Sequence, residues 1–359
     1  MAKHIPPAGL RGRGALANPP NRFDPAHTEA VDDGWFQDEP AASIATELRA
    51  DATRSIIAHN DSPDIGFDQS INPYRGCEHG CIFCYARPSH AYLGLSPGID
   101  FETKLIYKPD AGALLRRELA KPGYTCKLIM LGSNTDPYQP VERQLRVTRS
   151  ILEVLSETRH PVAITTRSTL LLRDLDLLAP MAAQSLVSVV FSMTTFDHDL
   201  KRRLEPRSAA AVARLAAMRE LRAAGVPVGV LAAPMIPAVN DSELEQIIAR
   251  SAAAGALHAG YVLLRLPLEV ADLFRQWLET HLPDRAQHVM GLMRDSHGGH
   301  ESTSRFGERM RGSGAWAQLL RDRFRLACRR HGLANGYVVK LDTTLFRPPA
   351  PSGQMGFDL

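Results

Sequence analysis

The sequence predicts an α/β fold in which a parallel sheet of about six βα units is rolled into a partial barrel, with an irregular N-terminal extension and a helical C-terminal extension. Three observations lead there. From about residue 70 to about residue 270, short apolar runs alternate with longer stretches of helical periodicity, the pattern of strands joined by crossover helices. The count is about six units in about 200 residues, too few for a closed barrel of eight strands. The residues just after the apolar runs are strongly polar, as they are where a parallel sheet turns its strand ends toward a ligand. The chain accordingly divides into residues 1–60, 61–270 and 271–359.

Taken in order, residues 1–50 are rich in Pro, Gly, Ala and charge. Lys3, Arg11, Arg13 and Arg22 precede the first acid, Asp24, and acids then dominate to Asp51. Such a segment buries little and reads as a flexible tail or a strap over the domain surface. The sharper alternative is a polyanion contact at Arg11-Gly12-Arg13-Gly14. Residues 70–73 lead into a cysteine-rich loop, residues 104–107 read as a short extra strand, and 111–119 as a helix. Residues 127–131 are the first clear buried strand. The helix predicted over 143–158 carries Leu145, Ile151, Leu152 and Leu155 on one face.

Residues 162–166 form the next strand, 170–183 a Leu-rich helix, and 186–192 a nearly continuous apolar strand. Ser208 is placed to cap a helix whose stripe is Val212, Leu215, Met218 and Leu221, with Gly225 closing it. A strand at 228–232, a helix at 241–254 and a strand at 261–266 complete the series. Beyond it the pattern turns helical, over 270–281, 285–294 and 315–330.

Composition narrows the function classes. With 44% hydrophobic and 23% charged residues over 359, the chain sits near the globular average, and a formal charge of +3 is too small to diagnose a nucleic-acid binder. Five cysteines, three of them clustered, are not an evenly spaced disulfide framework. Prolines and glycines interrupt the basic N-terminus where a signal peptide would need an apolar core, and no apolar run approaches the roughly 20 residues of a membrane span. A cytoplasmic location with no membrane partner is expected.

Residues 70–87 read SINPYRGCEHGCIFCYAR, placing Cys77, Cys81 and Cys84 at Cys-x-x-x-Cys-x-x-Cys spacing with Phe83 before the third. A cubane cluster has four irons, each wanting one outside ligand, so a loop with three thiolates leaves one iron for a non-protein donor. Structural zinc would want a fourth Cys or His at a regular spacing, and His79 would have to fold back within a very tight loop. Zinc or inert thiols are the alternative. Gly76 and Gly80 supply the permissive backbone of such a loop.

This spacing, with its aromatic, resembles the radical S-adenosylmethionine (SAM) superfamily. The resemblance implies a radical SAM barrel, a [4Fe-4S] cluster on Cys77, Cys81 and Cys84, and SAM chelating the open iron. It also implies reductive cleavage to a 5′-deoxyadenosyl radical that abstracts hydrogen from a substrate, with Phe83 near the adenine and a one-electron reductant such as flavodoxin or ferredoxin as partner. At the strand ends, residues 132–140, 165–168 and 192–195 offer hydroxyls and a cation to a zwitterionic ligand. Ser133, Thr135, Asp136, Arg167, Ser192 and Thr195 are the candidates, with Arg167 for the SAM carboxylate, Ser192 and Thr195 for carboxylate or ribose, and Asp136 for a positive group. Each hydroxyl is equally a turn or helix cap.

The stretch 225–241, Leu204-Glu205-Pro206 and the TDPYQPVE segment from Thr135 resemble the branch of that superfamily that includes spore photoproduct lyase, over roughly residues 65–270. The resemblance places Ser133 where the lyase carries a hydrogen-donating cysteine, so that donor is missing, and Arg167 where relatives carry a SAM-binding lysine. The closing region, with Gly307-Glu308-Arg309-Met310-Arg311-Gly312, resembles an uncharacterised subfamily of the branch.

Elsewhere, Cys126 and Cys328 read as small core residues. His297 and His300 among glycines read as a polar loop, with a metal site or a lid over substrate as alternatives. Residues 305–330 hold eight arginines, either a solvated helix face or a groove for phosphate. A nucleic-acid substrate is thus one expectation, beside a peptide or small metabolite. The rival readings are a non-catalytic iron-sulfur protein for electron transfer or redox sensing, and a zinc-stabilised nucleic-acid-binding module.

Overall fold

The computed structural model describes residues 12–23, 44–336 and 340–349. Lys3, Arg11 and the acids between Asp24 and residue 43 lie outside them. In chain order the described elements begin with strands β1 (Glu47–Ala50), β2 (Ala58–His59), β3 (Gln69–Ile71) and β4 (Tyr74–Arg75). Helix α1 (Asp100–Thr103), β5 (Lys104–Tyr107), α2 (Ala111–Leu119) and β6 (Ile129–Leu131) follow. Then come α3 (Glu142–Leu145), α4 (Val147–Glu157), β7 (Val162–Thr166), α5 (Leu175–Ala183), β8 (Val187–Met193), α6 (His198–Leu204), α7 (Ala211–Ala223) and β9 (Val228–Met235). The chain continues through α8 (Leu244–Ala253), β10 (His258–Leu263), α9 (Val270–His281), α10 (Pro283–Ser296), α11 (Gly314–Arg330) and β11 (Ala334–Asn335).

The main sheet has eight strands in the order β11-β10-β9-β8-β7-β6-β3-β2. From β3 to β11 every pairing is parallel, and only β2 runs antiparallel, on β3. β3, β6, β7, β8, β9 and β10 are the six strands of the partial barrel that the periodicity predicts. The apolar runs are continuous because crossover helices cover the outer face while side chains fill the inner one. All seven residues of β8, for example, are buried. A second sheet, β1-β5-β4, stands beside the cysteine loop.

The larger core lies between sheet and helices and includes Ile164, Val189, Val230, Leu155, Leu221 and Ile248. A smaller one joins the cysteine loop to the C-terminal helices through Ile82, Phe83, Leu204, Leu264 and Trp277. The indole N–H of Trp277 donates to Arg203 O at 3.0 Å, tying α9 to the end of α6.

Several boundaries differ from expectation for identifiable reasons. The helix predicted over 143–158 is divided at Arg146, which takes a left-handed conformation (φ 52°) and separates α3 from α4. The helix predicted from Leu170 begins as a 3-10 turn, Leu170–Asp174, before α5. Ser208 does not cap α7; its hydroxyl donates to Glu205 O (2.9 Å) and accepts from Arg214 Nη2 (2.7 Å), and Ala210 occupies the cap position. The strand predicted over 261–266 is β10, His258–Leu263: it begins earlier because His258 and Ala259 already pair with both β9 and β11, and its register with β9 breaks between Tyr261 and Leu263. Helix α6, opened by the Asp197 side chain accepting from two backbone N–H groups, is too short to leave a periodic signal.

Residues 340–349 run beneath the strands that open the βα units. Arg347 N donates to Thr158 O (2.8 Å) and Asp342 N to Ser185 O (2.9 Å), and Phe346 packs edge-on against His160. Among the described residues no helix is long and apolar enough to cross a membrane.

Candidate functional site

The cysteine loop leaves β4 and is held from both sides. Gly76 and Gly80 take positive φ, 79° and 65°. A Cβ on Gly76 would lie 2.8 Å from Phe101 O and one on Gly80 2.7 Å from Glu102 Oε2, so only glycine fits the turns. Cys77 N donates to Phe101 O at 2.9 Å and Ile82 N to Leu204 O at 3.0 Å. Arg87 is fully buried and reaches back under the loop. Its Nε donates to Cys81 O (3.0 Å), its Nη1 to Pro97 O (3.2 Å) and Gly98 O (2.8 Å), and its Nη2 pairs with Glu102.

Glu102 in turn accepts from Gly14 N (2.9 Å) and Ala15 N (2.8 Å), while Arg13 Nη1 donates to Glu102 O (2.9 Å). The segment around Arg13 is therefore docked on the back of the cysteine loop, with its guanidinium donating to Glu102 O, Ile44 O and Thr46 Oγ1.

The loop's other side meets the turn after β6. Gln139, wholly buried, accepts from Glu78 N (2.8 Å) and donates to Gly76 O (3.2 Å). Asp136 accepts from Arg167 N (2.7 Å), Thr166 Oγ1 (2.7 Å) and Tyr138 N (2.8 Å), and its Oδ2 lies 3.3 Å from His79 Nδ1. Burial alone would raise the Asp136 carboxyl; His79 and these donors hold it below the usual carboxylate range. The positive group facing Asp136 within the protein is thus His79, when protonated. Thr135 is 2% exposed and donates to Tyr74 O (2.9 Å). Ser133 Oγ accepts from Asn72 Nδ2 at 3.2 Å, and Ser133 O accepts from the Tyr85 hydroxyl.

Arg167 stands just after β7. Its Nη1 donates to Thr194 Oγ1 (2.9 Å) and Glu205 Oε2 (2.8 Å), its Nη2 to Ala233 O (3.1 Å), and its guanidinium lies 5.2 Å from the centre of the Phe83 ring. Its Nε and one Nη2 hydrogen keep capacity for a ligand. Ser192, at the end of β8, donates to Ala233 O at 3.3 Å, a long bond. Thr195 donates to Glu243 and accepts from Asp197 N (2.9 Å), a turn-capping arrangement. Phe83 is 5% exposed, between the apolar floor and Arg167.

Sequence reasoning assigned no role to Arg87 or Glu102, met Glu205 and Gln139 only as members of the 204–206 and TDPYQPVE motifs, and placed Asn240 or Asp241 as a helix cap, a bond the Asn240 side chain does not make. What distinguishes each of the five within the site is a partner elsewhere in the chain. Asn240 donates to Thr194 O (2.7 Å) and Pro234 O (2.9 Å), joining the ends of β8 and β9.

The chemistry of the donor set fits a cluster. Burial pushes all three thiols up, and for Cys77 the neighbouring Asp136, Cys81 and Cys84 push further, while Arg167 and Arg87 pull Cys81 and Cys84 back. Three thiolates this close would repel one another without a positive centre between them. Among the described residues no three His, Cys, Asp or Glu side chains converge to hold a single metal ion. A cubane instead asks each sulfur to meet a different iron. His297 is buried with Nδ1 facing Met293 O at 2.9 Å, and His300 is exposed.

Comparison with known proteins agrees with this architecture. The family model of the Radical SAM superfamily matches residues 71–250, a span holding the cysteine loop and the ends of β6 to β9. An uncharacterised protein of Mycobacterium tuberculosis (strain H37Rv) is 35% identical over 277 residues, covering 74% of this chain and 82% of its own. An uncharacterised protein of Methanocaldococcus jannaschii is 27% identical over 214 residues, covering 60% of this chain and 76% of its own. A spore photoproduct lyase mutant with bound AdoMet and dinucleoside spore photoproduct superposes with a TM-score of 0.57 at 14% identity, covering 81% of this chain and 82% of that one. At that identity the likeness speaks for the fold alone. Superfamily membership implies SAM cleavage with an iron-sulfur cluster, and radical SAM enzymes draw on an external reductant. With a family match over half its length and a fold to accommodate it, the chain belongs to the radical SAM superfamily.

Proposed function

We propose that this protein is a radical SAM enzyme in which Cys77, Cys81 and Cys84 hold a [4Fe-4S] cluster and the polar strand ends beside Phe83 hold SAM. The observation that carries the reading is a loop bearing three cysteines, Cys77 and Cys81 buried and Cys84 half-buried, braced by Arg87 and Gln139 at the mouth of a partial barrel. Bound there, cluster and SAM together supply reductive cleavage to a 5′-deoxyadenosyl radical for hydrogen abstraction.

The chain's own residues orient and seal. Arg167 offers its remaining N–H groups to the SAM carboxylate and its guanidinium to the same space as Phe83. Ser192 has a weakly held hydroxyl to turn toward the ligand. Thr135, Asp136 and Thr195 are committed to protein partners and set the positions of the strand ends. The apolar layer of Ile82, Phe83 and Leu264 keeps water from the cysteines.

The substrate class we propose first is nucleic acid, and the reaction is not photoproduct repair, since the hydroxyl of Ser133 cannot replace a thiol as hydrogen donor. The test is anaerobic reconstitution with iron and sulfide, reduction by dithionite, and assay for 5′-deoxyadenosine from SAM, beside a variant with Ala at Cys77, Cys81 and Cys84. Nucleoside from the wild type alone is the expected result. A fully loaded wild type that yields no nucleoside overturns the reading in favour of electron transfer or redox sensing.

A further inference from the structure

The arginines of residues 305–330 are dispersed. Arg309 is held by Asp64 at 2.5 and 2.8 Å, Arg323 by Glu245 at 2.7 Å, and Arg325, Arg329 and Arg330 are exposed on α11. The cations that share one surface lie instead on the outer flank of the cysteine loop.

Two hydrogen bonds lay the chain after α6 along that loop: Ile82 N donates to Leu204 O at 3.0 Å and Arg207 N to His79 O at 3.3 Å. Arg207 Nη2 meets Glu78 Oε1 at 3.2 Å, and the Thr46 hydroxyl donates to the same oxygen at 2.5 Å. Arg13 Nη2 in turn donates to Thr46 Oγ1 at 3.2 Å. Arg13, Arg207, Thr46 and Glu78 are thus one connected group, in which burial and then Arg207 push the Arg13 guanidinium down. Glu78, the carboxylate between the two cations, is 3% exposed, whereas the Arg207 side chain is 37% exposed.

Apolar surface borders this charge. Leu48 lies in register with Leu105 across the β1–β5 pair, and Leu105 packs against Gly76 at the entry to the loop. Leu48 itself is 39% exposed, and Ile44, whose carbonyl accepts from Arg13 Nη2 at 2.8 Å, is 41% exposed. Arg202 and Arg203 are exposed toward the end of α6, while its acids Asp197 and Asp199 stand at its start. An excess of cations around two exposed apolar side chains suits a transient protein partner of opposite charge, for which an interface under about 1,200 Å² suffices.

The position selects the kind of partner. Cys81 adjoins Ile82, so a single hydrogen bond separates its backbone from Leu204 O, and Glu78 adjoins Cys77. SAM and substrate are left the inner side of the loop, where Phe83 meets Arg167. We propose that Arg13, Arg207, Ile44 and Leu48 form the docking surface for an acidic one-electron carrier protein of the flavodoxin type. The proposal rests on Cys77, Cys81 and Cys84 holding the cluster, and it places the external reductant that radical SAM enzymes draw on. The docked, reduced carrier loses one electron, the cluster gains it, and no covalent bond forms or breaks.

The test uses anaerobically reconstituted holoenzyme and a fluorescently labelled, oxidised flavodoxin, titrated by anisotropy at about 0.05 M and about 0.5 M sodium chloride. We expect the wild type to bind at the lower salt and to lose about tenfold or more of its affinity at the higher. Arg207→Glu and Leu48→Asp should each weaken binding by about fivefold or more. Arg207→Lys, which keeps the charge, and the α11 control Arg325→Glu should stay within about twofold, separating lost charge from misfolding. 5′-Deoxyadenosine formation is followed in parallel with reduced flavodoxin and with dithionite, which is small enough to need no docking, and the ratio of the two rates should fall with the binding. No flavodoxin binding at low salt, equal loss in Arg325→Glu, or an unchanged ratio in Arg207→Glu overturns the surface. So does a labelled oligothymidylate whose binding Arg207→Glu abolishes while flavodoxin still binds, a result that assigns the patch to nucleic acid. Nucleoside from dithionite without flavodoxin binding defeats the docking surface alone, and flavodoxin binding without nucleoside from either reductant defeats the enzymatic reading alone.

Discussion

Arg167 Nη1 lies 2.8 Å from Glu205 Oε2, while Arg214 Nη2 reaches the other oxygen of that carboxylate at 2.6 Å. Glu205 is 1% exposed and Arg214 wholly buried, so one acid from the turn after α6 neutralises two cations from different units of the barrel. Burial would raise the Glu205 carboxyl, but Arg214 and Arg167 hold it below its ordinary range. Glu205→Ala leaves both guanidinium groups without their counter-charge and should cost about 3–5 kcal/mol in chemical denaturation. A loss under about 1 kcal/mol would mean that solvent reaches this pair.

The contact of the N-terminal segment with Glu102 is separable from the rest of the fold. Glu102→Ala removes the acceptor for Gly14 N and Ala15 N and strips buried Arg87 of its charge partner. Tryptic cleavage after Arg13 should accelerate at least several-fold, and iron bound after reconstitution should fall below the about four per chain of a full cluster. Unchanged cleavage would show that the segment is held by other contacts.

Gln139→Ala tests the brace between the turn after β6 and the cysteine loop. Glu78 N and Gly76 O each lose a partner, at about 1–3 kcal/mol per orphaned buried group. The far-ultraviolet dichroism should stay as in the wild type while the cluster's visible absorbance falls. Full cluster loading in this variant would place the brace outside cluster assembly.

His160 gives a pH signature at the opposite end of the barrel. Wholly buried, with Nε2 2.8 Å from the Tyr124 hydroxyl and Nδ1 3.0 Å from Pro161 O, it has its pKa pushed down to about 4 by burial. A folded-state value below the unfolded one makes stability full above about pH 6.5 and lost as pH falls toward 4, by about 3 kcal/mol in all. Denaturation at pH 7 and pH 4.5 should show that loss, and His160→Gln should flatten it. An equal slope in both proteins would assign the acid sensitivity to other groups.

What the sequence by itself determined is what adjacency in the chain carries. The Cys77, Cys81 and Cys84 spacing, the positive-φ glycines beside it and the alternation of apolar run and amphipathic helix are local patterns, and each is read within about 20 residues. The polar residues after each strand were legible for the same reason.

Tertiary structure decided which of those polar groups are already spent. Nothing near Thr195 announces Glu243, 48 residues on, and nothing near Arg167 announces Glu205, 38 residues on. The docking of Gly14 on Glu102 and the pairing of Asp64 with Arg309 bridge 88 and 245 residues. Hydrogen bonds and charge pairs depend on distance in space, which a sequence encodes only through the whole packed fold, whereas periodicity and loop spacing depend on geometry along the chain.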